Sequence, residues 1–358
     1  DPSGFASRFG GITAFTDLVL DAVRDAEAAT GLRMAVVVAA NRTRHPLDAR
    51  TLARLAAQYA GRGVVGFGLS NDERRGRTED FAPAFDIARS VLRTEDDVRR
   101  LVLEAAEDDV ADGSRWLEIQ VDPSGFASRF GGITAFTDLV LDAVRDASRR
   151  TGLGMAVVIA ANRTRHPLDA RTLARLAAQY AGRGVVGFGL SNDERRGTTA
   201  EFAPAFAIAE RAGLLLTPHG GELLGPQSVR VCLDELHADR LGHGVRVAED
   251  PELLDRVAAL EVALEVCPVS NVALGVYSDL TSVPLPTLLE AGATVALGAD
   301  DPLLFGSRLT GQYATMRAAH DLGDVQLAEL AAMSIRASRA PDDTKATLLH
   351  DVKAWLAD

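Results

Sequence analysis

The chain has 358 residues, 47% apolar and 25% charged, the balance of a folded globular protein rather than a disordered or collagen-like one. Its formal net charge of −12, from 38 basic against 50 acidic residues, argues against a nucleic-acid groove, which needs clustered Lys and Arg. The two cysteines, Cys232 and Cys267, lack CxxC spacing and make no disulfide framework, so a reducing, cytoplasmic setting is expected.

Read in chain order, β-branched apolar runs predict buried parallel strands. They lie at Met34–Ala40, Val64–Ser70, Trp116–Val121, Met155–Ala161, Val185–Ser191, Leu214–Pro218, Arg240–Val245, Ala263–Val266 and Thr294–Leu297. Helical patterns alternate with them at Phe15–Thr30, Leu47–Tyr59, Thr94–Asp108, Phe136–Thr151, Leu168–Tyr180 and Leu223–Leu236. Pro46 and Pro167 suit a first helical turn, and Thr94-Glu95-Asp96-Asp97 suits a cap with acidic residues on the N-terminal dipole. Alternating strands and helices imply an α/β fold, a parallel sheet closed by helices as in a (β/α)8 barrel of the TIM type. No apolar run is long enough to span a bilayer. No secretory leader is visible, although the chain opens at Asp1 rather than Met, leaving room for residues upstream.

Residues 1–88 recur almost unchanged at 122–209, an offset of 121 (122 − 1). Asp1-Pro2-Ser3-Gly4-Phe5 returns as Asp122-Pro123-Ser124-Gly125-Phe126, and His45 as His166. Most mismatches are polar swaps suited to exposed positions; the core-like one, Val38/Ile159, changes a single methylene. The copy is too long, and repeated too few times, for a solenoid. It reads as a βα segment duplicated at the N-terminus, or as a chimeric or misassembled sequence, with the junction at 84–88. Nine candidate strands exceed the eight of a barrel. Those from Trp116 onward number seven and fill places two to eight. The first place then falls to Val64–Ser70, before a helix at Ile87–Leu103. On this reading the whole chain is one barrel domain formed by 64–358, with 1–63 a surplus appendage whose apolar faces invite a homodimer or a segment swap.

Four motifs stand near the C-terminal ends of four apolar runs. They are His219-Gly220-Gly221-Glu222, Gly242-His243-Gly244, Cys267-Pro268-Val269-Ser270-Asn271 and Asp300-Asp301-Pro302. A parallel barrel gathers such strand ends into one pocket. A neutral imidazole at a strand end suits zinc, and two glycines after it let a substrate approach the backbone closely. Adjacent acids at a strand end point in different directions, so one can face a metal and the other a ligand. Against these stand a buried core histidine, a first-turn glutamate and an Asp-Asp-Pro turn. Gly182–Gly187 matches GxGxxG literally but precedes a strand instead of following one, which excludes a dinucleotide fingerprint.

The motif series resembles the adenosine deaminase family of zinc-dependent amidohydrolases, over about three quarters of the chain from Val91 onward. The resemblance implies hydrolytic deamination of adenosine or a related 6-aminopurine, with one Zn2+ per chain and a small purine nucleoside as the partner, without nucleic acid or membrane. It implies His219 and Asp300 as metal ligands. Glu222 becomes the proton donor to the purine ring, His243 the group that orients and stabilises the attacking hydroxide, and Asp300 also the acceptor of its proton. Asp301, Gly189 and Asn192 become substrate contacts, and Cys267–Asn271 a structural element. His166 reads as a helix-start or pocket-rim residue. The chain departs from the family at the first strand, which should carry His-x-His; none of its seven histidines is spaced that way. The pair lies upstream of Asp1, or was deleted, or was lost by misassembly. The rival reading is a catalytically dead purine-binding or assembly barrel.

Overall fold

The computed structural model describes residues 1–41, 44, 46–70 and 92–357. His45, the repeat junction at 84–88, residues 71–73 of the first copy and the start expected at Ile87 lie outside them. Among the described residues nine strands form: β1 (Val36–Asn41), β2 (Val64–Ser70), β3 (Trp116–Val121), β4 (Gly154–Asn162), β5 (Val185–Ser191), β6 (Leu215–Gly220), β7 (Arg240–His243), β8 (Ala263–Val266) and β9 (Val295–Leu297). Each overlaps a predicted run, because unbroken β-branched stretches this short suit a strand buried on both faces.

The chain divides into two compact units. In the first, the helices Ile12–Thr30 and Pro46–Tyr59 accompany β1 and β2, and Leu20, Val38, Leu52, Ala53, Tyr59 and Val64 form a separate small core. β1 pairs with β2 in parallel from Val36↔Val64 to Asn41↔Ser70, with one slip after Val36. β4 and β5 repeat that ladder from Val157↔Val185 to Asn162↔Ser191, with the slip after Val157. Near-identical sequence has dictated the same register twice. This differs from the first-strand role expected of Val64–Ser70. β2 belongs to a two-stranded sheet with β1 and not to the larger sheet, because the copied segment brings its own matched strand and crossover helix, and sequential neighbours pair readily.

The second unit contains a seven-stranded sheet in sequential order, β3 to β9, every ladder parallel. β4 is buried almost throughout. Phe188, Phe206, Leu216, Leu241 and Val295 pack in one continuous core with the surrounding helices. The sheet curls. Arg240 at the start of β7 places its guanidinium 2.6 Å from Glu118 of β3 and 2.6 Å from Glu265 of β8, and strands four places apart touch in this way only across a concave face. Glu118 also accepts from Trp116 Nε1 at 2.9 Å and from the Arg339 N–H. Burial raises the Glu118 carboxyl, but the Arg240 charge and these hydrogen bonds outweigh it and hold the group below its ordinary value. Beyond β9, the helix Leu309–His320 is tied to the helix Glu95–Ala111 through Thr310 N–H to Asp112 at 2.9 Å and an Arg308–Asp108 ion pair.

Arg240→Met leaves the Glu118 and Glu265 carboxylates without their cation. We expect it to lower the stability of this unit by about 3–5 kcal/mol, the usual cost of removing one partner from a buried pair. A shift in the denaturant midpoint reads the loss.

No helix among the described residues is long and apolar enough to cross a membrane.

Candidate active site

The site grows from the C-terminal ends of β5 to β9. His219 lies one residue from the end of β6 and pairs with Gly242 of β7 in the ladder. A Cβ at Gly242 would stand 2.7 Å from His219 Nδ1, so the glycine makes room for the ring. Burial, reinforced by the nearby His243 charge, pushes His219 down to about 3. The imidazole is therefore neutral at ordinary pH, and its Nδ1 is buried without a hydrogen-bond partner.

Glu222 follows in the turn between β6 and the helix Pro226–Asp234. Gly221 there has φ +73°, and a Cβ would meet Val229 at 2.4 Å, so a glycine is required. One residue organises the turn. The carboxylate of Glu194, 1% exposed, accepts from the N–H groups of Gly221 and Glu222 at 2.8 Å, Leu223 at 2.6 Å and Leu224 at 3.1 Å, and from Ser228 Oγ at 2.6 Å. Burial raises this carboxyl, but the bonds to Ser228 and the backbone prevail and keep it below its ordinary value. From the other side Arg163, 2% exposed, donates to the His219 carbonyl and, at 2.6 Å, to Thr199 Oγ1. The backbone from His219 to Leu224 is thus clamped at both ends.

His243 ends β7 with its ring centroid 5.0 Å from that of His219. Its Nε2 lies 3.4 Å from Glu222 Oε1, and its Nδ1 lies 3.4 Å from Asn271 Nδ2. Burial pushes Glu222 up to about 7, with Asp300 and Glu194 adding to the rise and the His243 charge opposing it. For His243 burial favours the neutral form, but Glu222 and Asp300 outweigh it and raise the imidazole. A carboxyl raised to about 7 beside a raised imidazole suits an acid–base pair.

Asp300 follows β9, and its Oδ2 accepts from Ser270 Oγ at 2.6 Å. Asp301 is exposed beside it. One nitrogen of His243, Cys267 Sγ and one carboxylate oxygen of Asp300 all lie within 4.8 Å of one another. Three strand-end residues, Asn192, His243 and Asp300, have positive φ of 77°, 68° and 56°. Such backbone strain in non-glycine residues concentrates at functional sites.

The structure therefore brings Glu222, His243 and Asp300 together with His219. The two remaining substrate-contact expectations, Gly189 and Asn192, lie within β5 and just after it. Gly189 is inside the β5 ladder between Ala160 and Thr217, where a Cβ would meet Gln120 Oε1 at 2.7 Å. Asn192 is exposed at the end of β5. His166 caps the helix Pro167–Gln179 through Nδ1, which accepts from Leu168 N–H at 3.1 Å. Sequence reasoning did not single out Glu194 or Arg163. The signal for Glu194 was its place at a strand end in Gly-Leu-Ser-Asn-Asp-Glu; nothing local marks Arg163.

The family profile for adenosine deaminase matches residues 1–90 and, separately, 75–355. An adenosine/adenine deaminase homologue of Streptomyces virginiae is 63% identical over 276 residues, covering 77% of this chain and 81% of that protein. An adenine deaminase of Rhizobium leguminosarum bv. trifolii is 35% identical over 270 residues, covering 75% and 84%. The crystal structure of adenine deaminase from Arthrobacter aurescens superimposes with a TM-score of 0.76 at 27% identity, over 91% of this chain and 100% of that one. On this likeness, and on the strand-end residues just described, the chain belongs to the adenosine deaminase family.

Proposed function

We propose that this chain hydrolyses the exocyclic amino group of a 6-aminopurine, adenine first and adenosine second. The observation that carries the reading is the buried Glu222–His243 pair, with Glu222 raised to about 7. A carboxyl that keeps its proton near neutrality can give it to a ring nitrogen, and an ordinary surface glutamate cannot. Relatives named as adenine deaminases favour the free base.

The donors present suit a zinc ion. His219 is neutral with a buried, unpartnered nitrogen, and Asp300 offers a carboxylate steadied by Ser270. Bound there, zinc supplies an acidified water at neutral pH. Asp300 accepts a proton from the attacking water. Glu222 protonates the purine ring nitrogen, which makes the amino-bearing carbon more electrophilic. His243, held by Glu222 and Asn271, stabilises the charge that develops on the incoming oxygen. A C–O bond forms, the proton taken up by Asp300 passes to the amino group, the C–N bond breaks, and ammonia leaves. Asp301 and Asn192 are the proposed contacts to the purine edge. Gly189, within the ladder, contributes by leaving space for Gln120.

The second reading, a dead barrel, rests on the missing His-x-His pair and is disfavoured by the Glu222–His243 pair and by the relatives' names. Incubating the purified chain with adenine and, in parallel, adenosine while following ammonia release separates the two. Ammonia from adenine at the higher kcat/KM is expected. No ammonia from either would reject the enzyme reading.

A further inference from the structure

We propose that Gln120 selects the free purine base: its amide carbonyl accepts a hydrogen bond from N9–H of adenine, where a nucleoside carries its sugar instead. This rests on the reading of the site as a purine deaminase and adds a contact on the far edge of the base.

Gln120 lies near the C-terminal end of β3. Successive side chains of a strand point to opposite faces. Leu117, Ile119 and Val121 pack against the core. Glu118 reaches Arg240 across the concave side, so Gln120 faces that side as well. Its amide bears this out: a Cβ on Gly189 would stand 2.7 Å from Gln120 Oε1, although β4 separates β3 from β5. In the ladders Gln120 is level with Val158 and, through it, with Gly187. The side chain therefore extends one pleat toward the strand ends where the site stands. Gly189 pairs with Thr217, two residues before His219 on the same face of β6. The amide is thus about 7 Å, one pair of residues along a strand, from the level of His219.

Three glycines on this face cede their space to a neighbouring side chain: Gly242 to the His219 ring, Gly298 to Cys267 Sγ and Gly189 to Gln120. The first two occupants belong to the strand-end motifs, and the third shares their setting. Other polar groups nearby are committed. Thr217 Oγ1 donates to Glu265 at 3.3 Å, and Glu118 and Glu265 are paired with Arg240. Gln120 is exposed, and no hydrogen bond among the described residues holds its amide. With the amino-bearing carbon at Asp300 and Glu222, the five-membered ring of the base lies at the other end. In adenine N9 carries a hydrogen, and burying it without an acceptor is costly. A carbonyl there favours the base twice, by taking that hydrogen and by occupying the place of a sugar.

Binding and turnover of adenine and 9-methyladenine by the 358-residue chain test this, because the methyl group removes the N9 hydrogen. Gln120→Leu keeps most of the bulk and removes the acceptor. It is expected to weaken adenine binding, and to lower kcat/KM for adenine, by about tenfold, the scale of one hydrogen bond. The loss should fall on KM with kcat retained, since N9 is remote from the reacting carbon. 9-Methyladenine should bind no better to the unaltered chain than to the variant. Gln120→Ala, which also frees the space, should raise kcat/KM for adenosine. A variant that weakens both ligands alike, or neither, would overturn the assignment. Adenine bound in a Gln120-dependent way without ammonia release would reject the deaminase reading and keep the contact. A chain that binds neither ligand would overturn both.

Discussion

Glu222→Gln is expected to lower kcat by about 10²–10⁴-fold, the usual share of a positioned proton donor, with KM little changed. Glutamine keeps the shape of the side chain and cannot deliver a proton, so the loss falls on the chemical step. The same carboxyl sets a pH limb. Burial lifts it to about 7, so the acid form needed for catalysis is lost as pH rises through that value, and kcat should fall on the alkaline side. The stability linkage has the same sign. A carboxyl whose folded-state value is raised contributes stability that is complete below its ordinary range and disappears as pH rises through about 7. In Glu222→Gln both dependences should flatten. A variant with unchanged kcat would show that another group delivers the proton.

Glu194→Gln is expected to have the second largest effect, although in this account Glu194 never touches substrate. Its two oxygens receive five donors from residues 221–224 and Ser228. An amide offers one acceptor oxygen and turns an NH2 toward N–H groups that had a partner. Each buried donor left unsatisfied costs about 1–3 kcal/mol, so the turn should rearrange and carry Glu222 away from His243. We expect kcat to fall by about 10²-fold, the scale of a 1 Å misplacement. The thermal midpoint should fall as well. Glu194→Asp, which keeps the charge but shortens the reach, should recover part of the stability and little of the rate. If Glu194→Gln retains full activity, the clamp is not what positions Glu222.

The strands were legible because each is a short apolar run with few alternatives. Helix starts were less so. The expected start at Leu223 moved to Pro226, because Glu194 takes up the N–H groups of Gly221–Leu224 in a turn that no local pattern announces. The site motifs could be read because each combines a strand end with a reactive side chain: the structure puts His219 and His243 at the ends of β6 and β7 and Asp300 just after β9. Glu194 and Arg163 were missed because their partners lie 27–34 and 36–56 residues away, and pairing of that kind is a property of the folded sheet. The placement of β2 escaped for a different reason. A copied segment has two sets of matching partners, and sequence alone does not rank its own β1 against a strand of the larger sheet.

The measurement that tests the account most directly is zinc per chain, by elemental analysis of the 358-residue chain purified in chelator-washed buffers. The account predicts about one retained zinc, as expected of a catalytic site with protein ligands and an open position. A chain that carries none, and takes up none when zinc is added, would contradict it.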